Sequence, residues 1–219
     1  MGSLWLLVIA VGAALPLGVA SAIYLEEYAP RNRLTELLEI NIYNLAGVPA
    51  IVYGILGLGI FVRFLGLGRS ILAGGFTLGA LLLPIIIISS REAIRAIPNT
   101  FREASYALGA THWQTIYSVV LPPALPGIIT GAIVGISRIV GEAAPLIVVG
   151  GAAFVSFLPK SPLDEFTALP LQIYTWVSYP KKGFQVNAAA GILILIGFTI
   201  LFNLAITILR YRLRKKMKW

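Results

Sequence analysis

Two residues of opposite charge, Arg138 and Glu142, interrupt an otherwise apolar stretch of Ile, Val, Gly, Ala and Ser. A charge near the centre of a bilayer costs about 2.5–3.5 kcal/mol, so such residues face a bundle interior or a water-filled path. A guanidinium can donate two parallel hydrogen bonds to an oxyanion and stays charged at any working pH. The i and i+4 spacing puts both side chains on one helical face, where they can pair. The residues therefore indicate either a transient anion site, in which Glu142 offsets the charge of Arg138, or a buried ion pair that locks this helix to its neighbours.

The helix that carries these charges is predicted to bend at Pro145. Proline has no N–H, so Pro145 leaves the carbonyl of Gly141 without its helical hydrogen bond. We therefore expect a helix hinge beside the two charged residues.

The composition of the chain places these charges in a membrane protein. Of its 219 residues, 58% are hydrophobic and only 12% are charged, and the mean hydropathy is +0.88. A soluble domain is about 45–50% apolar and about 25% charged, so a disordered chain and a water-soluble globule are both excluded. The chain has no cysteine and a single histidine, His112, so we expect neither disulfides nor a metal site, and no cofactor.

Long apolar stretches separated by charged segments predict an all-α bundle of about five transmembrane helices. The spans fall approximately at 4–25, 41–62, 71–90, 123–150 and 187–209. The remaining segments are a charged connection at 26–39, a short turn at 63–69, a charged loop at 91–121, an outer loop at 151–186 and a basic tail at 210–219. We expect the whole chain, 1–219, to form a single transmembrane domain.

The distribution of lysine and arginine predicts the orientation. One set of flanks holds 11 of the 17 basic residues and the opposite set holds 5. Since the richer side is usually cytoplasmic, the 91–121 loop and the C-terminus are predicted to lie inside the cell. The net charge of +8 comes largely from these flanks, so it indicates a membrane surface and not a nucleic-acid partner.

The cytoplasmic segment 98–122 (PNTFREASYALGATHWQTIYSVVLP) contains two capping-box sequences, T-x-x-E at 100–103 and T-x-x-Q at 111–114. Each box predicts the start of a short helix. Gly109 is a natural stop between them, because helices often end on a residue with positive φ. The spacing is consistent with a compact knob that a partner protein could approach, or with an amphipathic loop lying on the membrane.

The same segment resembles the cytoplasmic signature of permeases of type I ABC importers, Glu-Ala-Ala-x3-Gly-x9-Ile-x-Leu-Pro. The matching residues are Glu103, Ala104, Ser105, Gly109, Val119, Leu121 and Pro122, with Ser105 and Val119 as mild departures. Four further stretches resemble the PstA-type permeases of phosphate importers: 14–29, 47–54, 136–150 and 169–174.

The resemblance implies a MetI-like fold, in which six spans are usual where this chain has about five. It implies an inner-membrane permease subunit that forms half of the path for inorganic phosphate. The expected partners are an ATP-binding subunit, a second permease (a related chain or a second copy) and an extracytoplasmic phosphate-binding protein. The residues that would seat in the ATP-binding subunit are Glu103, Ala104, Ser105, Gly109, Leu121 and Pro122.

For the substrate path, the resemblance favours Arg138 and Glu142 as pathway residues. Such permeases often carry another basic residue late in the third span, where this chain has Ile88. Arg91, one turn further toward the cytoplasm, is therefore only a secondary candidate.

Two alternatives stay open from the sequence: a permease for another oxyanion such as sulfate or molybdate, and a membrane scaffold subunit without its own path. An enzyme is disfavoured because the chain lacks G-x4-G-K-[ST], HExxH and GxSxG. ATP hydrolysis is therefore expected in a separate protein.

Overall fold

The computed structural model describes the backbone of residues 1–152 and 154–216, and their side chains except at 205, 206 and 209–216. This described part contains α-helices and no strand. In chain order the helices are α1 (Gly2–Ile23), α2 (Arg33–Ala46), α3 (Ala50–Gly57), α4 (Ile71–Arg95), α5 (Asn99–Ala107), α6 (His112–Thr115), α7 (Leu121–Val140), α8 (Ala144–Val149), α9 (Leu169–Ser178) and α10 (Lys182–Lys216). Short π-helical segments continue α1 (Tyr24–Tyr28), continue α3 (Leu58–Phe64) and join α6 to α7 (Ile116–Val120).

In the described part of the chain, four helical stretches are long and apolar enough to cross a membrane: Gly2–Tyr28, Ile71–Arg95, His112–Val140 and Lys182–Leu204. A fifth arises if the pair Arg33–Ala46 and Ala50–Phe64, bent by 105°, is counted as one broken span. The prediction of an all-α protein with about five membrane helices is confirmed.

The second predicted span, 41–62, differs from the structure, because it crosses this bend. The chain leaves helical geometry between Ala46 and Ala50, and Pro49 is the N-cap of α3 with an extended ψ of 138°. Proline cannot donate a helical hydrogen bond and also disfavours helical geometry in the residue before it. The segment before the break is itself a helix, α2, although its charges had indicated a polar connection.

The fourth predicted span, 123–150, is also divided. The structure ends α7 at Val140 and begins α8 at Ala144. The predicted outer loop at 151–186 contains a helix, α9, and the first turn of α10. The predicted basic tail at 210–219 lies outside the residues whose side chains are described.

The chain packs as two compact units. The first comprises Met1–Ala14, Gly47–Leu82 and Ile136–Leu204, and the second includes Leu15–Ala46 and Leu83–Gly135.

In the first unit, the loop after α8 covers the start of α4. The N–H groups of Ile71 and Leu72, which the helix itself cannot pair, donate to the carbonyls of Asp164 (3.0 Å) and Pro162 (2.8 Å). Phe166 of the same loop is fully buried, and its ring reaches within 2.7 Å of where a side chain on Gly74 would begin. The loop is therefore an integral part of this unit.

In the second unit, the end of α1, the last part of α4 and the start of α7 pack around one apolar cluster. The buried members are Ala22, Ile94, Val120, Ala124 and Ile128. Gly127 allows close approach, because a Cβ there would lie 2.6 Å from the Cβ of Ala93. This packing brings the charged ends of α1 and α4 together.

Candidate functional site

Arg138 lies in the last turn of α7, in the first unit, and its side chain is exposed. A positive charge at this end of a helix is stabilised by the negative pole of the helix dipole. Tyr53 of α3 is buried with 6% exposure and interacts electrostatically with the guanidinium. The first unit thus presents an exposed cation at the C-terminal end of α7.

Glu142 lies in the break between α7 and α8, and its side chain is partly exposed. Its N–H donates to the carbonyl of Ile139 (3.3 Å), a short-range bond typical of a helix end. The side chain lines a cavity of about 370 Å³ in the first unit. The other lining residues are mostly apolar and include Leu6, Leu78, Leu169, Ile194 and Phe198.

The prediction that Arg138 and Glu142 pair on one helical face is wrong. The i, i+4 relation requires a continuous helix, and the helix ends at Val140. Among the described residues, the salt bridges of the structure all lie in the second unit and none joins these two side chains. The alternative of a locking ion pair therefore fails as well.

Pro145 is the second residue of α8 and packs against α3. A Cβ on Gly54 would lie 2.8 Å from the Pro145 Cα and 2.9 Å from the Val148 Cβ, so only glycine fits at this contact. Movement at Pro145 is not tested by the structure, and its role as a hinge stays a prediction.

Sequence analysis missed Tyr53. The residue stands in the 47–54 stretch that carried the resemblance. A hydroxyl in an apolar helix needs a polar partner, and that requirement was the available signal.

Arg91, the secondary pathway candidate, belongs to the second unit and is 3% exposed. Its guanidinium contacts the carboxylates of Glu39 (2.7 Å) and Glu26 (3.5 Å). The structure therefore gives this arginine two acidic partners within its own unit.

The predicted coupling residues occupy two short helices, α5 and α6. Gly109 separates them with φ of +82°, a conformation that favours glycine. The second capping box is confirmed, since Thr111 and Gln114 exchange both bonds (2.8 and 3.3 Å). The first box is wrong: α5 begins after Pro98 with no side-chain cap, because helical geometry starts before Thr100.

The two helices are joined by a buried bond between the Ser105 and Thr115 hydroxyls (2.9 Å). Glu103, Ala104 and Gly109 are exposed, while Leu121 and Pro122 are partly buried at the start of α7. Large apolar side chains are exposed on the same segment: Phe101, Tyr106, Leu108, Trp113 and Tyr117. Leu108 is the most exposed of them, at 89%.

The chain belongs to the family of binding-protein-dependent transport system inner membrane components, which matches residues 14–219. It is therefore a multi-pass membrane protein and a transport subunit. The resemblance of this chain to the permeases of ABC importers is confirmed, while the coupling role of residues 103–122 stays a prediction.

Two curated relatives are similar over nearly the whole chain. A probable ABC transporter permease protein, YqgI of Bacillus subtilis, is 35% identical over 98% of this chain and 77% of its own length. The phosphate transport system permease protein PstA 1 of Mycobacterium tuberculosis (strain CDC 1551 / Oshkosh) is 38% identical over 93% of this chain. This chain spans 66% of the length of that relative.

Among solved structures, the MetNI methionine ABC transporter in an inward-facing conformation has the same fold. The TM-score is 0.76 at 20% identity, covering 97% of this chain and 94% of that one. The MetI-like fold is thereby confirmed.

Proposed function

We propose that this chain is the permease subunit of an ATP-driven importer of inorganic phosphate. The observation that carries the proposal is the exposed guanidinium of Arg138, at the end of a membrane-spanning helix. Phosphate is supported as the substrate by the relative from Mycobacterium tuberculosis, which is named as a phosphate transport system permease.

In this proposal Arg138 binds phosphate transiently. Its side chain has no carboxylate partner among the described residues, so both faces of the guanidinium fork are available to an oxyanion. Glu142, set apart in the helix break, does not neutralise Arg138 directly, and its negative charge disfavours prolonged residence of the anion nearby.

The α5–α6 surface is the proposed docking site for a separate ATP-binding subunit. Its exposed apolar side chains and the Gly109 turn supply a shallow protruding face. The distribution of basic residues supports a cytoplasmic position for this surface and for the C-terminus. A second permease completes the path, and an extracytoplasmic binding protein delivers phosphate.

Neutralisation of the two pathway residues tests the proposal. In an assembled transporter in liposomes, Arg138→Gln should lower phosphate uptake at least tenfold, whereas Arg138→Lys should retain part of it because a point charge remains. Glu142→Gln should change phosphate uptake by a different factor from Arg138→Gln, since the two side chains act separately. For the same reason the exchange Arg138→Glu with Glu142→Arg should not restore uptake.

The matched control is Arg63→Gln, which removes another exposed arginine of the first unit. Its uptake should match that of the unaltered protein. Unchanged uptake in Arg138→Gln, or full recovery in the charge exchange, would contradict the proposed pathway.

A further inference from the structure

A network of glutamates and arginines links four elements of the second unit. Its members are Glu26, Glu27, Glu39, Arg91, Arg95 and Arg102. They line one side of a polar cavity of about 870 Å³. The glutamates come from the π-helical end of α1 and from α2, and the arginines come from the end of α4 and from α5.

Arg102 is the member of this network that stands in α5. Its Nη2 lies 2.7 Å from Oε1 of Glu27, and its Nε donates to the same oxygen at 3.2 Å. The pair is well shielded, with side-chain exposures of 13% for Arg102 and 6% for Glu27. Such shielding keeps the attraction from being screened by water and salt as a surface pair would be.

The same guanidinium also holds the end of α4. Its Nη1 donates to the carbonyl of Ile97 (2.8 Å) and its Nη2 to the carbonyl of Ile94 (3.3 Å). The Ile94 carbonyl, in the last turn of α4, also accepts from the Ile97 N–H (3.2 Å), and the Ile97 carbonyl lies just beyond the helix end. A cation is favourable beside carbonyls at a helix C-terminus. Nη1 further contacts the Asn99 side-chain oxygen at 3.3 Å, beyond the proline of the linker.

These contacts matter because α4 and α5 are joined only by the short linker Ala96–Pro98. Without side-chain support, a push on α5 could be absorbed by rotation within this linker. Arg102 contacts both sides of the linker and the end of α1, so it fixes α5 to α1 and α4 as one body.

We propose that Arg102 is the positioning residue that transmits displacement of α5 to α1 and α4 through Glu27 and the carbonyls of Ile94 and Ile97. The inference rests on the proposed function, in which α5 receives force from an ATP-binding subunit. It assigns the coupling of ATP hydrolysis to transport to a side chain that faces the permease and not its partner. Lysine cannot replace it, because a single ammonium cannot contact Glu27 and both carbonyls in this geometry.

Arg95 supplies a matched control within the same network. Its side chain is 59% exposed and pairs with Glu26, which keeps Arg91 as a second partner. Exposed ion pairs contribute little to stability. Arg95→Gln therefore removes one positive charge, as Arg102→Gln does, but leaves the contacts of α5 in place.

The test measures phosphate uptake per ATP hydrolysed in the assembled transporter, together with co-purification of the ATP-binding subunit. Arg102→Gln and Arg102→Lys should both lower the uptake per ATP about tenfold or more, while hydrolysis and co-purification persist. Glu27→Gln should lower the uptake per ATP less, because the contacts to the Ile94 and Ile97 carbonyls remain. Arg95→Gln should behave as the unaltered protein.

Hydrogen exchange on the permease provides a readout that does not depend on the substrate. The α5 amides should exchange about tenfold faster in Arg102→Gln than in Arg95→Gln, equivalent to ~1.4 kcal/mol of lost protection. Equal exchange rates in the two variants, wild-type uptake per ATP in Arg102→Gln, or loss of co-purification in that variant would each overturn the proposal. Absence of phosphate uptake in the unaltered protein would instead refute the proposed substrate.

Discussion

Replacing Gly54 with alanine should destabilise the contact between α3 and α8. The new Cβ would lie 2.8 Å from the Pro145 Cα, 2.9 Å from its carbonyl oxygen and 2.9 Å from the Val148 Cβ. Backbone atoms cannot rotate away, so α3 and α8 must separate. Overpacking of this kind costs about 1–3 kcal/mol. The helix itself gains about 0.5–1 kcal/mol from the loss of glycine, which offsets part of that cost.

Gly59→Ala is the matched control, because Gly59 continues the same helix and a Cβ there meets nothing within 4 Å. Gly59→Ala should show only the gain in helix stability of about 0.5–1 kcal/mol. The two variants should therefore differ by about 1–3 kcal/mol, or about 2–12 °C in the thermal midpoint for a chain of this size. Thermal unfolding of the purified permease in detergent measures the difference. A midpoint for Gly54→Ala equal to or above that of Gly59→Ala would refute the packing argument.

Two further predictions concern the coupling segment and the outer loop. Gly109→Val should uncouple ATP hydrolysis from uptake, because φ of +82° costs a branched residue about 1–2 kcal/mol or more. Glu103→Lys should have the same effect by reversing an exposed charge. If the binding protein still stimulated ATP hydrolysis in both variants, the proposed docking surface would be contradicted. In the outer loop, the backbone N–H groups of Ser161 and Lys160 hold the pKa of the Asp164 carboxyl below its ordinary value. A lowered pKa gives stability that is present above the unfolded pKa of about 3.9 and is lost as the pH falls through the folded value. Proteolysis of this loop should therefore stay slow from neutral pH down to about pH 4 and accelerate below that pH. The Asp164→Ala variant should be cleaved quickly at every pH. Identical pH profiles in the two proteins would contradict a stabilising role of the hydrogen bonds to the Asp164 carboxylate.

The sequence predicted features that depend on neighbouring residues. Apolar stretches predicted the membrane helices, and T-x-x-Q at 111–114 predicted a capping box that forms. Gly109 likewise predicted a helix end, because its positive φ depends on local sterics.

Contacts between distant segments could not be predicted in the same way. The Arg102–Glu27 pair joins residues separated by 75 positions, and nothing in either local sequence selects the partner. The 105° bend between α2 and α3 lies at a Gly-Val-Pro sequence that had been included in a continuous span. The predicted pairing of Arg138 and Glu142 requires a helix that continues past Val140, and α7 ends there.

Assembled with an ATP-binding subunit, a second permease and a binding protein, the chain is proposed to carry phosphate across the membrane. Uptake of radiolabelled phosphate into ATP-loaded liposomes, with excess unlabelled phosphate, sulfate or molybdate as competitor, tests this function most directly. We expect ATP-dependent accumulation that unlabelled phosphate abolishes and that the other two anions leave unchanged. Accumulation suppressed by sulfate or molybdate, or no accumulation in the complete assembly, would contradict it.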